Sequence, residues 1–221
     1  MLDLAKQVLE KINSHGYKAY IVGGFVRDYL LGIESKDIDI TTNATPKELQ
    51  EIFNDVDLSS EDYGAVTLMI NKTRVEITTF RKEIGYVNNR KPMKIVYIDD
   101  LSEDLKRRDF TINTICMDKD GKIIDLLNGQ EDLNNKIIKT VGIAKERFEE
   151  DSLRILRAIR FSTNLNFQLS SDISSAIIET KHLLKNLSYN RKKEELDKIF
   201  SNANVKKGID LLLKFNLDKE L

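Results

Sequence analysis

Apolar residues at Leu4, Ala5, Val8, Leu9 and Ile12 recur at the spacing of one helix face, and Gly16 stands where that helix must stop. From Ala19 to Thr42 the pattern changes to an apolar strand, a Gly23-Gly24 turn, a short helix closed by Gly32, and a second strand in which Asp37 and Asp39 alternate with Ile38 and Ile40. Thr45-Pro46-Lys47-Glu48 combines an N-cap, a proline at the first helical position and a capping-box glutamate, opening a helix through Phe53. Ala65 to Ile70 and Arg74 to Phe80 are β-rich segments joined across Asn71-Lys72-Thr73, which predicts a hairpin. From Arg81 to Met93 periodicity is lost and the residues turn polar, the pattern of a long loop. Ser102-Glu103-Asp104-Leu105 predicts a capped short helix, and a second hairpin is expected from Thr114 to Asp118 and Ile123 to Leu126. After about Val141 the pattern is helical only, so a boundary is placed there. Asp151, Arg154 and Arg157, spaced by three, are expected on one helix face, with Leu153, Leu156 and Ile159 on an apolar one.

Composition changes this picture little. The 221 residues carry a net charge of −1, so no global basic field argues for nucleic acid. The halves differ slightly: residues 141–221 hold 15 Lys and Arg against 12 Asp and Glu, residues 1–140 hold 20 against 24. Cys116 is the single cysteine, which excludes an intramolecular disulfide, and its apolar neighbours predict a packed core thiol. His15 and His182 are isolated, against a zinc site. No signal-peptide pattern and no apolar run approaching ~20 residues is present, so no membrane partner is expected and a cytoplasmic location is the default.

The chemistry lies in the alternation. On a strand Asp37 and Asp39 project to one side, and two carboxylates meeting there call for a cation between them. Hard oxygen ligands suit Mg²⁺ carried in with substrate phosphates. Gly23 and Gly24 have no Cβ to keep backbone amides from a triphosphate, and Arg27 stands one helical turn beyond to meet its charge. Glu76, between Val75 and Ile77, is a third carboxylate if its strand lies beside the Asp39 strand, and a solvent-facing strand residue otherwise. An Asp and an Arg side by side offer acceptors and donors that match cytosine and adenine edges and mismatch uracil and guanine. The Asp151 and Arg154 pair is therefore either surface ion pairing or a reader that accepts CTP and ATP.

Gly23-Gly24-x-Val26-Arg27-Asp28-x-Leu30-Leu31-Gly32, Asp37-Ile38-Asp39, Arg107-Arg108-Asp109-Phe110-Thr111-Ile112-Asn113 and Glu150-Asp151-x-x-Arg154-x-x-Arg157 resemble, in order, the motifs of bacterial class II tRNA nucleotidyltransferases, the CCA-adding enzymes, and their poly(A) polymerase relatives. The resemblance runs from about Tyr20 to Phe161 and implies an α+β fold. Residues 1–140 would form a polymerase-β-like nucleotidyltransferase head with a mixed sheet, and 141–221 an all-α neck that recognises the base. Asp37 and Asp39 would be the catalytic carboxylates and Mg²⁺ ligands, with Glu76 at the third acidic position. Gly24, Arg27 and Arg108 would contact the nucleotide, Asp151 and Arg154 would template the base, and Arg157 and Arg160 would lie nearby on the same helix. The implied activity is addition of CMP and AMP from CTP and ATP to the tRNA 3′ end with release of pyrophosphate.

The sequence also departs from that family. Tyr63-Gly64-Ala65 stands where relatives show His-Gly-Thr, and Ser188-Tyr189-Asn190-Arg191-Lys192 where a Glu-Arg-Ile-like motif leads a neck helix. The body and tail regions of relatives are absent, as expected of a truncated piece or a shortened relative. Glu83, Tyr86, Arg90 and Pro92 resemble a loop of CCA-adding and A-adding members. The alternatives are an A-adding enzyme, a poly(A) polymerase, an antibiotic-modifying nucleotidyltransferase and a non-catalytic RNA-binding remnant.

Overall fold

In the computed structural model, which describes residues 1–35 and 37–221, the chain forms two compact units that interleave along the sequence. The first comprises Met1–Glu83, Ile95–Arg108 and Ile112–Gln130; the second comprises Ile84–Lys94, Asp109–Thr111 and Glu131–Leu221. The sequence pattern had suggested a single changeover near Val141.

In the first unit, α1 (Leu2–Ser14) buries Ala5, Val8, Leu9 and Ile12, and the chain turns at Gly16 with φ +88°. The next elements are β1 (Ala19–Val22), α2 (Gly24–Leu30), β2 (Ile38–Thr42), α3 (Pro46–Ile52), β3 (Ala65–Ile70) and β4 (Thr73–Thr79). The capping box at α3 forms as expected: the Thr45 hydroxyl accepts from Glu48 N at 3.4 Å and Thr45 N donates to Glu48 Oε2 at 2.7 Å. β3 and β4 make the expected hairpin, with Asn71 and Lys72 both at positive φ as a tight two-residue turn requires.

The polar segment from Arg81 is not a loop. It forms a second hairpin, β5 (Arg81–Val87) and β6 (Lys91–Tyr97), turned at Asn88 and Asn89 with φ +52° and +51°. Its strands bury neither face continuously, so no apolar alternation marked them. α4 (Leu101–Lys106), β7 (Cys116–Met117) and β8 (Ile123–Ile124) complete this unit. Among the described residues the main sheet has six strands in the order β3-β4-β2-β1-β7-β8, with β2 and β4 parallel and the other neighbours antiparallel. Ile38 and Ile40 are buried on one face of β2, which turns Asp39 to the other. Cys116 is fully buried, and burial pushes its thiol up to about 12.

α5 (Gly129–Asn134) leads into the second unit, with β9 (Ile137–Ile138), α6 (Ala144–Glu150), α7 (Leu153–Asn164), β10 (Gln168–Leu169), α8 (Ser171–Thr180), α9 (Tyr189–Phe200) and α10 (Val205–Lys214). The expectation of helices alone past Val141 needs one correction: Gln168 and Leu169 pair in parallel with Ile137 and Ile138, a strand too short to show a two-residue period. α7 is buried on most of its circumference, Arg154, Ser162 and Thr163 included, and Phe161 on it meets Phe110 edge-on at 5.6 Å. No helix among the described residues is long and apolar enough to cross a membrane.

Candidate active site

The end of β1 delivers Gly23 at φ +77° and ψ −138°, a conformation that an L side chain resists. A Cβ there would lie 3.2 Å from Asp39 Oδ2 and 3.8 Å from Arg108 Nη1. Glycine therefore lets backbone, carboxylate and guanidinium converge. At Gly24 a Cβ would meet Arg27 Nη2 at an ordinary 3.5 Å, so space alone does not require glycine there. Gly24, Arg27, Asp37 and Asp39 line one cleft of about 340 Å³. Arg27 is buried, with Nη1 donating to Asn113 Oδ1 at 2.7 Å and Nε to Asp28 Oδ1 at 2.8 Å.

Pairing of β2 with β4 sets Asp39 directly opposite Glu76, so the Glu76 strand lies beside the Asp39 strand, with the Glu76 side chain itself 37% exposed. Glu76 also accepts from Arg74 Nη2 at 2.6 Å. Burial and the facing Glu76 carboxylate push Asp39 up to about 6, with Asp37 adding to the rise and Arg108 opposing it. Among the described residues no group of three or more His, Cys, Asp or Glu is placed to hold a metal ion by itself. The donor set fits a hard divalent ion nonetheless, because Mg²⁺ takes one or two carboxylates and completes its shell with water and substrate phosphates. The surplus negative charge around Asp39 is what such an ion relieves.

Arg108 adds a second mark of a ligand site. Its Nε is buried without a hydrogen-bond partner among the described residues, a costly state for a charged donor unless an anion arrives. Asp104, which sequence reasoning treated as part of a helix start, holds this arginine pair. The actual N-cap of α4 is Asp100, accepting from Ser102 N at 2.8 Å. Fully buried Asp104 accepts from Arg107 Nε at 2.8 Å, Thr41 Oγ1 at 3.0 Å and Arg81 N at 3.1 Å, with Arg108 Nη2 at 3.5 Å. Burial acts to raise its carboxyl, but Arg107 and Arg108 outweigh it and hold it below the ordinary value. The available signal was spacing: an aspartate three and four residues before two arginines.

In the second unit the expected Asp151, Arg154 and Arg157 ladder does not form. Asp151 is the extended C-cap of α6, with φ −138° and ψ 98°, and α7 starts only at Leu153. Both Asp151 oxygens accept from Arg90 Nη1 at 2.9 Å. The hairpin tip that brings Arg90 there is fixed by Asn89, whose Nδ2 donates to Glu149 O at 2.6 Å and whose carbonyl accepts from Ser152 N at 2.9 Å. Arg154 is buried and donates to Glu150 Oε2 at 3.0 Å. Arg157 donates to Asp109 Oδ2 from Nε at 2.8 Å, and Arg160 donates to Glu195 Oε2. Arg157 and Arg160 therefore each have a buried carboxylate, whereas the partly exposed Glu150 serves both Arg154 and Arg147.

A mixed sheet with adjacent acids on parallel strands, a glycine turn against them and a partly buried arginine beside them defines a polymerase-β-like nucleotidyltransferase head. The chain belongs to the poly(A) polymerase head-domain family, described as "Poly A polymerase head domain", which matches residues 19–139. A second family, "Probable RNA and SrmB- binding site of polymerase A", matches 166–221. A CCA-adding enzyme of Staphylococcus haemolyticus is 45% identical over 216 residues, 98% of this chain and 54% of that protein. The solved CCA-adding enzyme of Bacillus stearothermophilus in complex with CTP is 38% identical with a TM-score of 0.89, covering 96% of this chain and 52% of that one. The Thermotoga maritima CCA-adding enzyme complexed with tRNA_CCA is 25% identical with a TM-score of 0.80, covering 98% and 51%. The chain spans about half the length of the curated relatives it matches.

Proposed function

We propose that this chain is the catalytic head and the base-selecting neck of a tRNA nucleotidyltransferase that adds CMP and AMP from CTP and ATP to the tRNA 3′ end. The supporting observation is the convergence of Gly23, Asp39 and Arg108, with Glu76 opposite Asp39. The names of the matched relatives supply the substrate class.

In this reading the RNA 3′-oxygen bonds to the α-phosphorus, the bond from that phosphorus to the bridging oxygen breaks, and pyrophosphate leaves. Asp37 and Asp39 would hold Mg²⁺, which when bound would lower the pKa of the attacking hydroxyl and offset charge on the leaving phosphates. Glu76 concentrates negative charge beside that pair. Arg108 directs its buried donor at phosphate oxygens, while Gly23 and Gly24 allow backbone amides close approach. Arg27 holds α2 against Asn113 and is available to a phosphate only through its cleft face. Asp151 and Arg154 accept cytosine and adenine edges and leave donor facing donor, or acceptor facing acceptor, with uracil and guanine. Arg157 and Arg160 serve this region by anchoring α7 to Asp109 and Glu195. The work is assigned to the cytoplasm.

The test is incorporation of each nucleotide into tRNAs ending before CCA, after one C and after both, with Mg²⁺ present or chelated. Ordered addition of two C and one A is expected, with loss of transfer in Asp39→Asn but retention of fold by circular dichroism. Addition of A alone to the CC end would mean an A-adding enzyme. Untemplated A tracts would favour a poly(A) polymerase, the activity named in the matched head-domain family. An active Asp39→Asn would remove the site assignment.

A further inference from the structure

On the sheet face opposite the Ile38 and Ile40 core, strand pairing lines up one row of side chains: Asp57 opposite Thr67, Thr67 opposite Glu76, and Glu76 opposite Asp39. Three carboxylates in one row repel one another, and the sequence sets a cation on the same face: Arg74, two residues before Glu76 on β4. Its Nη2 donates to Glu76 Oε2 at 2.6 Å. Arg74 also acts on the acids to either side. The Asp57 carboxyl lies below its ordinary value, chiefly because Ser59 N donates to it at 2.8 Å, and Arg74 pulls in the same direction. At Asp39, where burial drives the rise, Arg108 and Arg74 oppose it. One guanidinium is therefore in range of every acid in the row.

The Arg74 and Glu76 side chains are 50% and 37% exposed, and water screens such an ion pair enough for another cation to replace it. An arginine cannot shed its charge, so Glu76 is released only when the guanidinium is displaced. A hard divalent ion is a competitor of the right kind, because it carries twice the charge and prefers carboxylate oxygen. Asp57, across Thr67, offers the displaced guanidinium a second carboxylate.

We propose that Arg74 is a positioning residue for the metal site: it holds Glu76 while no metal is bound and yields it to an arriving divalent ion, so that metal affinity is set by competition between the two cations. The proposal rests on the reading of Asp37 and Asp39 as metal ligands. Arg74 lies outside the four motifs that carry the family resemblance. The competition has a sign: removing the arginine tightens metal binding, the opposite of what loss of a ligand or of a structural contact does. A neighbouring unit charge, screened by water and physiological salt, changes the affinity of a divalent ion by about two- to threefold, and the freed Glu76 oxygens add to that.

The experiment measures binding rather than turnover. The full 221-residue chain is titrated with Mn²⁺ alone, which takes the same oxygen ligands as Mg²⁺, and the free ion is counted by electron paramagnetic resonance. The pH is held at about 8, where the carboxylates are ionised. Arg74→Gln is expected to bind Mn²⁺ at least about threefold more tightly than the parent, and Arg74→Lys, which keeps the charge, about as the parent does. In a Glu76→Gln background the Arg74→Gln change should lose at least about half of its effect on a logarithmic scale, since no carboxylate is left to release. Both side chains are partly exposed, so these replacements leave the core intact. Unchanged or weaker binding in Arg74→Gln would overturn the proposal, as would no binding by either parent or Arg74→Gln. So would an undiminished gain in the Glu76→Gln background, which would reduce Arg74 to a general field. Asp39→Asn separates this inference from the proposed function. Binding that is lost in Asp39→Asn but indifferent to Arg74→Gln would remove the inference and keep the catalytic site. Binding that survives Asp39→Asn would remove the catalytic site, and the role of Arg74 with it.

Discussion

Replacing Asp104 by alanine isolates the cost of holding the arginine pair. The carboxylate is fully buried and accepts from Arg107 Nε, Thr41 Oγ1 and Arg81 N. Its removal strands a hydroxyl, a backbone amide and two guanidiniums that are only 15% and 17% exposed. Breaking a buried ion pair from one side costs about 3–5 kcal/mol. Arg107 keeps a contact with Glu83 at 3.5 Å, so the lower end applies, about 3 kcal/mol. With a urea slope of about 2 kcal/mol per molar, the unfolding midpoint should drop by roughly 1.5 M, read by circular dichroism. Asp104→Asn keeps an acceptor and the shape and should lose less. Because the folded-state carboxyl lies below its ordinary value, its contribution is complete above the unfolded-state value and is lost as pH falls through the folded one. The difference between parent and Asp104→Ala should therefore be flat from about pH 5 to 8 and shrink only in stronger acid. A loss below about 1 kcal/mol at neutral pH, the size of a single ordinary hydrogen bond, would refute the role of Asp104 as the hub of this cluster.

Other perturbations separate packing from chemistry. In Gly208→Ala the new Cβ would sit 2.5 Å from Ile199 Cγ2 and 3.1 Å from Thr163 Oγ1. Overpacking of about 1–3 kcal/mol outweighs the ~1 kcal/mol gain in helix propensity, so the melting temperature should fall; an unchanged or higher one would refute the close packing of α10. Cys116 should stay unmodified by a thiol reagent at pH 8 in the folded protein and react fully in denaturant, since burial holds the thiol protonated; labelling at a free-thiol rate would place it at the surface. Arg90→Ala removes the cation on both Asp151 oxygens and should relax discrimination between CTP and UTP by about tenfold, the value of a charge-assisted contact near 1.5 kcal/mol. Equal discrimination ratios in competition assays would show that Arg90 does not orient Asp151.

What the sequence made legible was whatever a few contiguous residues encode. The α1 core positions, the α3 capping box, the β3–β4 hairpin and the alternation of Asp39 with Ile38 and Ile40 are such features, and all appear in the structure. The β5–β6 hairpin was missed because exposed strands need no apolar period, and β10 because two residues cannot display one. Side-chain partners were hidden for a different reason: they lie far apart in sequence. Asp104 and Thr41 are 63 residues apart, Arg90 and Asp151 are 61, and Arg157 and Asp109 are 48. A motif shows that an arginine is present, not what already neutralises it. Arg157 and Arg160 carry the same chemistry as Arg108, yet each donates to a buried carboxylate and so holds helices together. Arg108 keeps a buried Nε with no hydrogen-bond partner among the described residues, close to Gly23 and Asp39. Leaving that donor unpaired costs stability in the folded chain. An anion that pairs with it recovers the loss, and it is the closeness of this donor to Gly23 and Asp39, more than the count of arginines in the motifs, that marks the point at which a phosphate should bind.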